Sequence, residues 1–129
     1  MIKAIVERVY DLEEFKKLVK PNPFVRVHYK IDYFQDPQGV EYGIMFKLQG
    51  ISKMAVPDDE MDYIPVIMVV EYFQSYSVKW NDKEVIKLMD ENPTLRTADA
   101  MIKILEKKAK EFLEIAREFN ATEGQYILR

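Results

Sequence analysis

Residues 24–34, FVRVHYKIDYF, alternate without interruption. A β-strand repeats every two residues, so Val25, Val27, Tyr29, Ile31 and Tyr33 share one face, and Arg26, His28, Lys30 and Asp32 share the other. An apolar row backed by a polar row is the pattern of a sheet packed on one side and wet on the other, which points to antiparallel strands with helices on a single face.

Working outward, Val40 to about Gln49 repeats the pattern, with Val40, Tyr42, Ile44, Phe46 and Leu48 on one side. The intervening DPQG, residues 36–39, has Asp, Pro and Gly at places favoured in a type I turn. A four-residue loop pairs Gln35 with Val40 and sets Lys47 opposite His28, so all the apolar residues share one face.

Upstream, residues 2–10 read as a first strand, apolar on both faces at one end. DLEEFKKLV follows, with Asp11 and Glu14 at capping-box spacing and Leu12, Phe15, Leu18 and Val19 on one helical stripe. KPNP, residues 20–23, stops that helix, because proline disfavours the helical conformation in the residue before it.

Downstream, ISKMAVPDDEMD reads as irregular, and a fourth strand runs from about Tyr63 to Trp80, long enough to expect a bulge. Pro65 suits an edge position or a late start to the ladder. NDKEVIKLMD is a short helix with Asn81 and Glu84 at capping-box spacing. The last helix begins either at Pro93 behind Asn92 or after Thr97, and ends near Asn120. Ala98, Met101, Ile102, Leu105, Ala109, Phe112, Leu113, Ala116 and Phe119 fall on one arc that covers a sheet. On the far side Asp99 with Lys103, Glu106 with Lys110, and Lys110 with Glu114 make i,i+4 pairs. QYILR at 125–129 reads as a short strand or a docked tail.

The expected fold is therefore α+β, order β-α-β-β-β-α-α with an optional final strand. A single antiparallel sheet of four or five strands carries helices, including the long C-terminal one, on one face. This order resembles helix-grip ligand-binding folds, in which a long C-terminal helix lies across a curved antiparallel sheet, although this chain shows fewer strands. No motif assigns the chain to a family.

At 129 residues the chain is expected to form one domain, residues 1–129, around one core. Its 48% hydrophobic and 32% charged composition, poor in Gly and Pro, excludes a disordered chain. A net charge of -3 argues against broad duplex binding, which needs a basic field. There is no cysteine, so disulfides, thiolate metal sites and cysteine nucleophiles are excluded. No apolar run is long enough to span a membrane and no secretory leader is visible, so a cytoplasmic location is expected. The Lys and Glu bias is one also found in thermophile proteins. With four glycines and no nucleotide-binding or hydrolase motif, no cofactor is expected.

Five features are candidates for function, each beside a plainer reading. The row Arg26, His28, Lys30, Asp32 and Lys47 can bind single-stranded nucleic acid, phosphates on the cations and bases on Phe24 and Phe34; its plainer reading is a solvated sheet face. His28 is the only histidine, with Asp32 nearby as an orienting carboxylate, so a triad with a spare partner is excluded. Asp58, Asp59, Glu60 and Asp62 can ligate a hard cation but lack the Gly and Glu of a calcium loop, so an exposed solubilising loop is the default and no metal is assigned. Tyr72, Tyr76 and Trp80 on one side of the fourth strand suit a ligand cleft or the margin of a core. Ile104 and Ile115, with Lys108 between, lie on the flank of the last helix, covered by the preceding helix or by a second copy.

The leading expectation is a noncatalytic interaction or small-ligand-binding domain, self-associating as a homodimer, with an unidentified protein or small-molecule partner and no membrane. The alternatives are a single-stranded nucleic-acid binder using the polar face, and a small enzyme or ligand carrier. That last reading puts a pocket between sheet and long helix, with His28, Asp32, Glu41 or Glu71.

Overall fold

The computed structural model describes residues 3–56 and 64–124. Its elements are β1 (Lys3–Val9), α1 (Leu12–Val19), β2 (Arg26–Gln35), β3 (Glu41–Val56), β4 (Ile64–Lys79), α2 (Lys83–Glu91), α3 (Thr97–Glu118) and β5 (Thr122–Glu123). The five strands form one sheet in the order β1-β4-β3-β2-β5. The class is α+β, as the alternation implies, but the sheet is mixed. β1 runs parallel to β4, from Lys3 beside Val66 to Val9 beside Tyr72, and β5 runs parallel to β2 through His28–Thr122 and Tyr29–Glu123. The expectation of a purely antiparallel sheet is corrected at both edges. Short connections compel antiparallel neighbours, whereas β1 and β5 reach their partners across long stretches of chain and are free of that constraint.

The chain divides into two compact units. β2, β3, β4 and α3 each contribute residues to both. The described residues of the first unit fall within Met1–Lys30, Lys47–Phe73 and Ala116–Arg129. In it Asp11 caps α1, its Oδ1 accepting a hydrogen bond from the Glu13 N–H at 2.9 Å. The stripe of α1 buries Phe15 and Val19 but leaves Leu18 half in solvent. Phe15 packs edge-on against Phe119 at 5.3 Å between ring centroids and tilted against Tyr72 at 6.3 Å. Burying such a ring stabilises the fold by roughly 1.5–3 kcal/mol. Val9, Leu48, Val66 and Val69 complete this core. Just past α3, Asn120 adopts a left-handed φ of 51°, and the Ala121 N–H returns to the Ala116 carbonyl at 3.1 Å. That reversal delivers Thr122 to the edge of β2.

The second unit comprises Ile31–Phe46 and Gln74–Ile115. Its hairpin turn is held by Asp36, whose Oδ1 accepts from the N–H groups of Gln38 at 2.9 Å and Val40 at 3.1 Å. Gly39 has a φ of 73°, a conformation that side chains rarely adopt. The Asp36 N–H donates to the Glu41 carbonyl at 3.0 Å, and the ring of Phe34 lies where a Cβ on Gly43 would be. Phe34 therefore stands across from Gly43, two residues away from the register in which Gln35 meets Val40. A slip of two preserves faces, so the division into apolar and polar rows survives at the hairpin.

Here Phe46 stacks on Phe112, centroids 4.8 Å apart and planes within 9°. Ile44, Val78, Val85, Ala100, Met101, Leu105 and Ala109 are also buried in this unit. α3 starts at Thr97, one residue ahead of the second of the two expected starts. The cap of α2 differs from expectation: Asp82 occupies the N-cap and makes no side-chain capping bond, its Oδ2 accepting instead from the Lys79 N–H at 2.8 Å. β3 continues to Val56, through the ISKMAV stretch expected to be irregular. Along its pairing with β1, β4 runs without a bulge.

Candidate functional site

On the polar side of the sheet in the first unit, the central feature is Glu71, whose side chain is only 3% exposed. β1 and β4 place Arg8 directly beside it in parallel register, and Arg8 Nε donates to Glu71 Oε2 at 3.1 Å. From β3, Gln49 Nε2 donates to Oε1 at 2.5 Å, and Lys47 Nζ stands 3.6 Å from the same oxygen. Lys47 also lies over the ring of Phe73, 5.0 Å from its centroid. A buried carboxylate is tolerated only when paired and hydrogen-bonded, and Glu71 meets both conditions. Nothing in the sequence near Arg8 or Gln49 marks them, because their partner lies on a distant strand.

Of the row read from the sequence, Arg26 is exposed, while His28, Lys30 and Lys47 are half-buried. Burial lowers the His28 pKa below its ordinary 6.5, and a hydrogen bond to the Thr122 backbone works the other way. His28 is thus held toward its neutral form. Lys47 is drawn to Glu71 and Phe73, which spends part of the positive field that a phosphate backbone needs. Asp32, in the second unit, is exposed. The acidic residues Asp58, Asp59, Glu60 and Asp62 lie outside the described residues. Among the described residues no cluster of three or more His, Asp or Glu is placed to hold a metal ion, and no helix is long and apolar enough to cross a membrane.

The aromatic row of β4 does not form one surface. Tyr72 belongs to the core beside Phe15, where burial raises its pKa. Trp80 is 56% exposed at the far end. Between them Tyr76 is half-buried under Lys108, whose Nζ is 5.2 Å from its ring centroid and 5.3 Å from that of Phe112. Burial, then the Glu84 carboxylate, raises the Tyr76 pKa against the opposing pull of Lys108, so the hydroxyl keeps its proton.

On the flank of α3, Lys108 pairs with Glu111 at 3.0 Å. Ile104 is half-buried and shares a groove with Leu88 of α2, the neighbour expected to cover it, while Ile115 is also half-buried. That groove is ringed by Glu84, Lys87, Glu91, Lys103 and Lys107, so both signs of charge are present at its rim.

A different concavity, of about 450 Å³, opens in the second unit beside the β2–β3 hairpin. Tyr33, Phe34, Gln35 and Tyr42 line it from the strands, and Ile102, Leu105 and Glu106 line it from α3. Leu105 is buried at its floor, whereas Tyr33 is 57% and Ile102 41% exposed at its walls. The helix arc puts Ile102 in the core and Glu106 on the solvated side of α3. α3 is turned so that Met101, Leu105, Ala109 and Phe112 take the buried centre, which leaves Ile102 on the shoulder facing the groove. No local signal marks such a groove, since it is a gap left where helix and hairpin do not meet.

Comparison with protein-family models, with curated proteins and with solved structures returns no match for the chain.

Proposed function

We propose that the chain is a noncatalytic binding domain whose site is the groove between the β2–β3 hairpin and α3, and that its ligand is small and largely apolar. The observation that carries this reading is the coincidence of concavity and exposed apolar wall. The groove's volume of about 450 Å³ lies within the usual range for small-molecule sites, and the exposed Tyr33 and Ile102 flank it. Exposed apolar surface around a concave floor is the common signature of a binding site, while scattered exposed residues elsewhere need no explanation. Tyrosine adds a polar tip to a large rigid face, so Tyr33 and Tyr42 can hold an apolar body and still orient it.

The noncatalytic reading rests on what surrounds the polar groups. Glu71 is fully engaged by Arg8, Gln49 and Lys47, and the neutral His28 is held at the edge where β5 joins β2. Amide chemical shifts recorded while small aromatic and aliphatic probes are added would test the site. Saturable shifts confined to Tyr33, Tyr42, Ile102 and Leu105 are expected, and Ile102→Glu should abolish them while the spectrum stays dispersed. Binding that survives Ile102→Glu unchanged, or shifts that never saturate, would sink this assignment.

A further inference from the structure

We infer that the groove beside α3 selects an organic cation, an ammonium group carried on an apolar body; this rests on that groove being the binding site. Among the described residues that line it, Glu106 is the one with an ionisable carboxylate, and none is basic. The neighbouring groove along α2 differs, because Glu84 and Glu91 there are offset by Lys87, Lys103 and Lys107. Within its described lining, the hairpin-side groove therefore keeps a negative charge with no basic partner at an apolar wall.

Glu106 is also unspent within the protein. Sequence spacing pairs it with Lys110, but among the described residues it makes no ion pair; α3 joins Lys108 to Glu111, and Arg96 to Asp99 just at its start. A carboxylate four residues before a lysine and yet unpaired is available to a ligand. The walls add a second attraction. Tyrosine faces are negative at their centre and draw a cation placed within about 6 Å of the ring centroid. This protein already uses that contact on its own lysines, with Lys108 over Tyr76 and Phe112, Lys47 over Phe73 and Lys20 over Phe119. Tyr33 and Tyr42 line the groove, with no lysine among its described lining residues. The ring of Phe34 is committed to Gly43 and is not counted among them.

An apolar body seated on Leu105 and Ile102, with its ammonium toward Glu106 and a tyrosine face, matches both the apolar wall and the carboxylate. An anionic ligand of the same shape would meet repulsion from Glu106 with no cation among the described lining residues to offset it. The carboxamide of Gln35 carries both an oxygen acceptor and N–H donors, so it serves a ligand of either sign and the selectivity rests on Glu106 and the tyrosines.

The test compares phenethylammonium with phenylpropanol, a neutral analogue of similar shape, by amide-shift titration of the full chain, its Glu106→Gln variant and an Asp90→Asn control. Phenethylammonium should bind about fivefold more tightly than phenylpropanol, and Glu106→Gln should erase that advantage, since an exposed ion pair and a ring contact each contribute modestly. Asp90→Asn, which removes a negative charge outside the groove lining, should leave the advantage intact. Equal binding of the two probes, or an advantage that persists in Glu106→Gln, overturns the cation selectivity and leaves an apolar site. Loss of the advantage in Asp90→Asn overturns it as well, because overall charge would then account for it. Failure of both probes to shift Tyr33, Tyr42 and Ile102 overturns the binding site along with its selectivity.

Discussion

Arg8 and Glu71 stand side by side in parallel strands, 3.1 Å apart from Nε to Oε2, with the Glu71 side chain buried and the Arg8 side chain 64% exposed. The pair is asymmetric, and so are the consequences of breaking it. Glu71→Ala strands Gln49 in a buried position and leaves Lys47 without its counter-charge, so a loss of about 2–3 kcal/mol is expected in urea unfolding. Arg8→Ala should cost about 1 kcal/mol or less, because its end is in solvent. Equal losses in the two variants would mean that Glu71 is not the hub of the cluster.

Stability should fall as pH drops below about 6.5, and His28 should cause part of that fall. Its pKa is lowered in the folded chain from 6.5, chiefly by burial, so the unfolded state binds the proton more readily. The contribution is fully present above 6.5 and is lost as pH falls from there through the lower folded pKa. Comparing urea midpoints at mildly alkaline and mildly acid pH for the wild type and His28→Asn checks it. The variant should show a shallower dependence, and an identical slope would refute the assignment to His28.

The stacked pair Phe46 and Phe112 anchors the second unit. Phe112→Ala should destabilise by about 3–5 kcal/mol, the range for deleting a buried aromatic, and Phe112→Leu by clearly less because it leaves a smaller cavity. A double-mutant cycle with Phe46→Leu should show coupling, since the two rings touch. Additive losses would mean that the stack contributes nothing beyond burial.

At the hairpin, Gly39→Ala should cost about 1 kcal/mol, because an L side chain is strained at a φ of 73°. Gly43→Ala acts differently: the new Cβ would fall 2.0 Å from the Phe34 ring, which must swing away. The expected readout is a large change in the Phe34 ring shifts with the backbone pattern of the hairpin retained. Unmoved ring shifts in Gly43→Ala would contradict the packing of Phe34 on Gly43.

Much of the secondary structure was legible locally. The alternation in FVRVHYKIDYF sorts β2 into two faces that survive a two-residue error in register, because a slip of two returns every side chain to its own side. Asp11 and its following turn predict α1, and the periodic stripe predicts α3, since caps and helical arcs are decided by residues within one or two turns. The candidate site was less legible. Tyr72 and Tyr76 share a face of β4, yet one is core and the other lies under Lys108, a difference made by what packs above each position.

The sequence by itself determined the α+β class, the two faces of β2 and β3, the hairpin turn at Asp36 to Gly39, and the long final helix, all of them set by contacts between near neighbours in the chain. Tertiary structure alone decided that β1 lies parallel to β4, that Glu71 is encircled by Arg8, Gln49 and Lys47, and that α3 leaves Ile102 and Glu106 facing a groove. Those outcomes depend on which distant surfaces bury one another best, a choice governed by the summed packing of the whole chain, and no window of adjacent residues carries it.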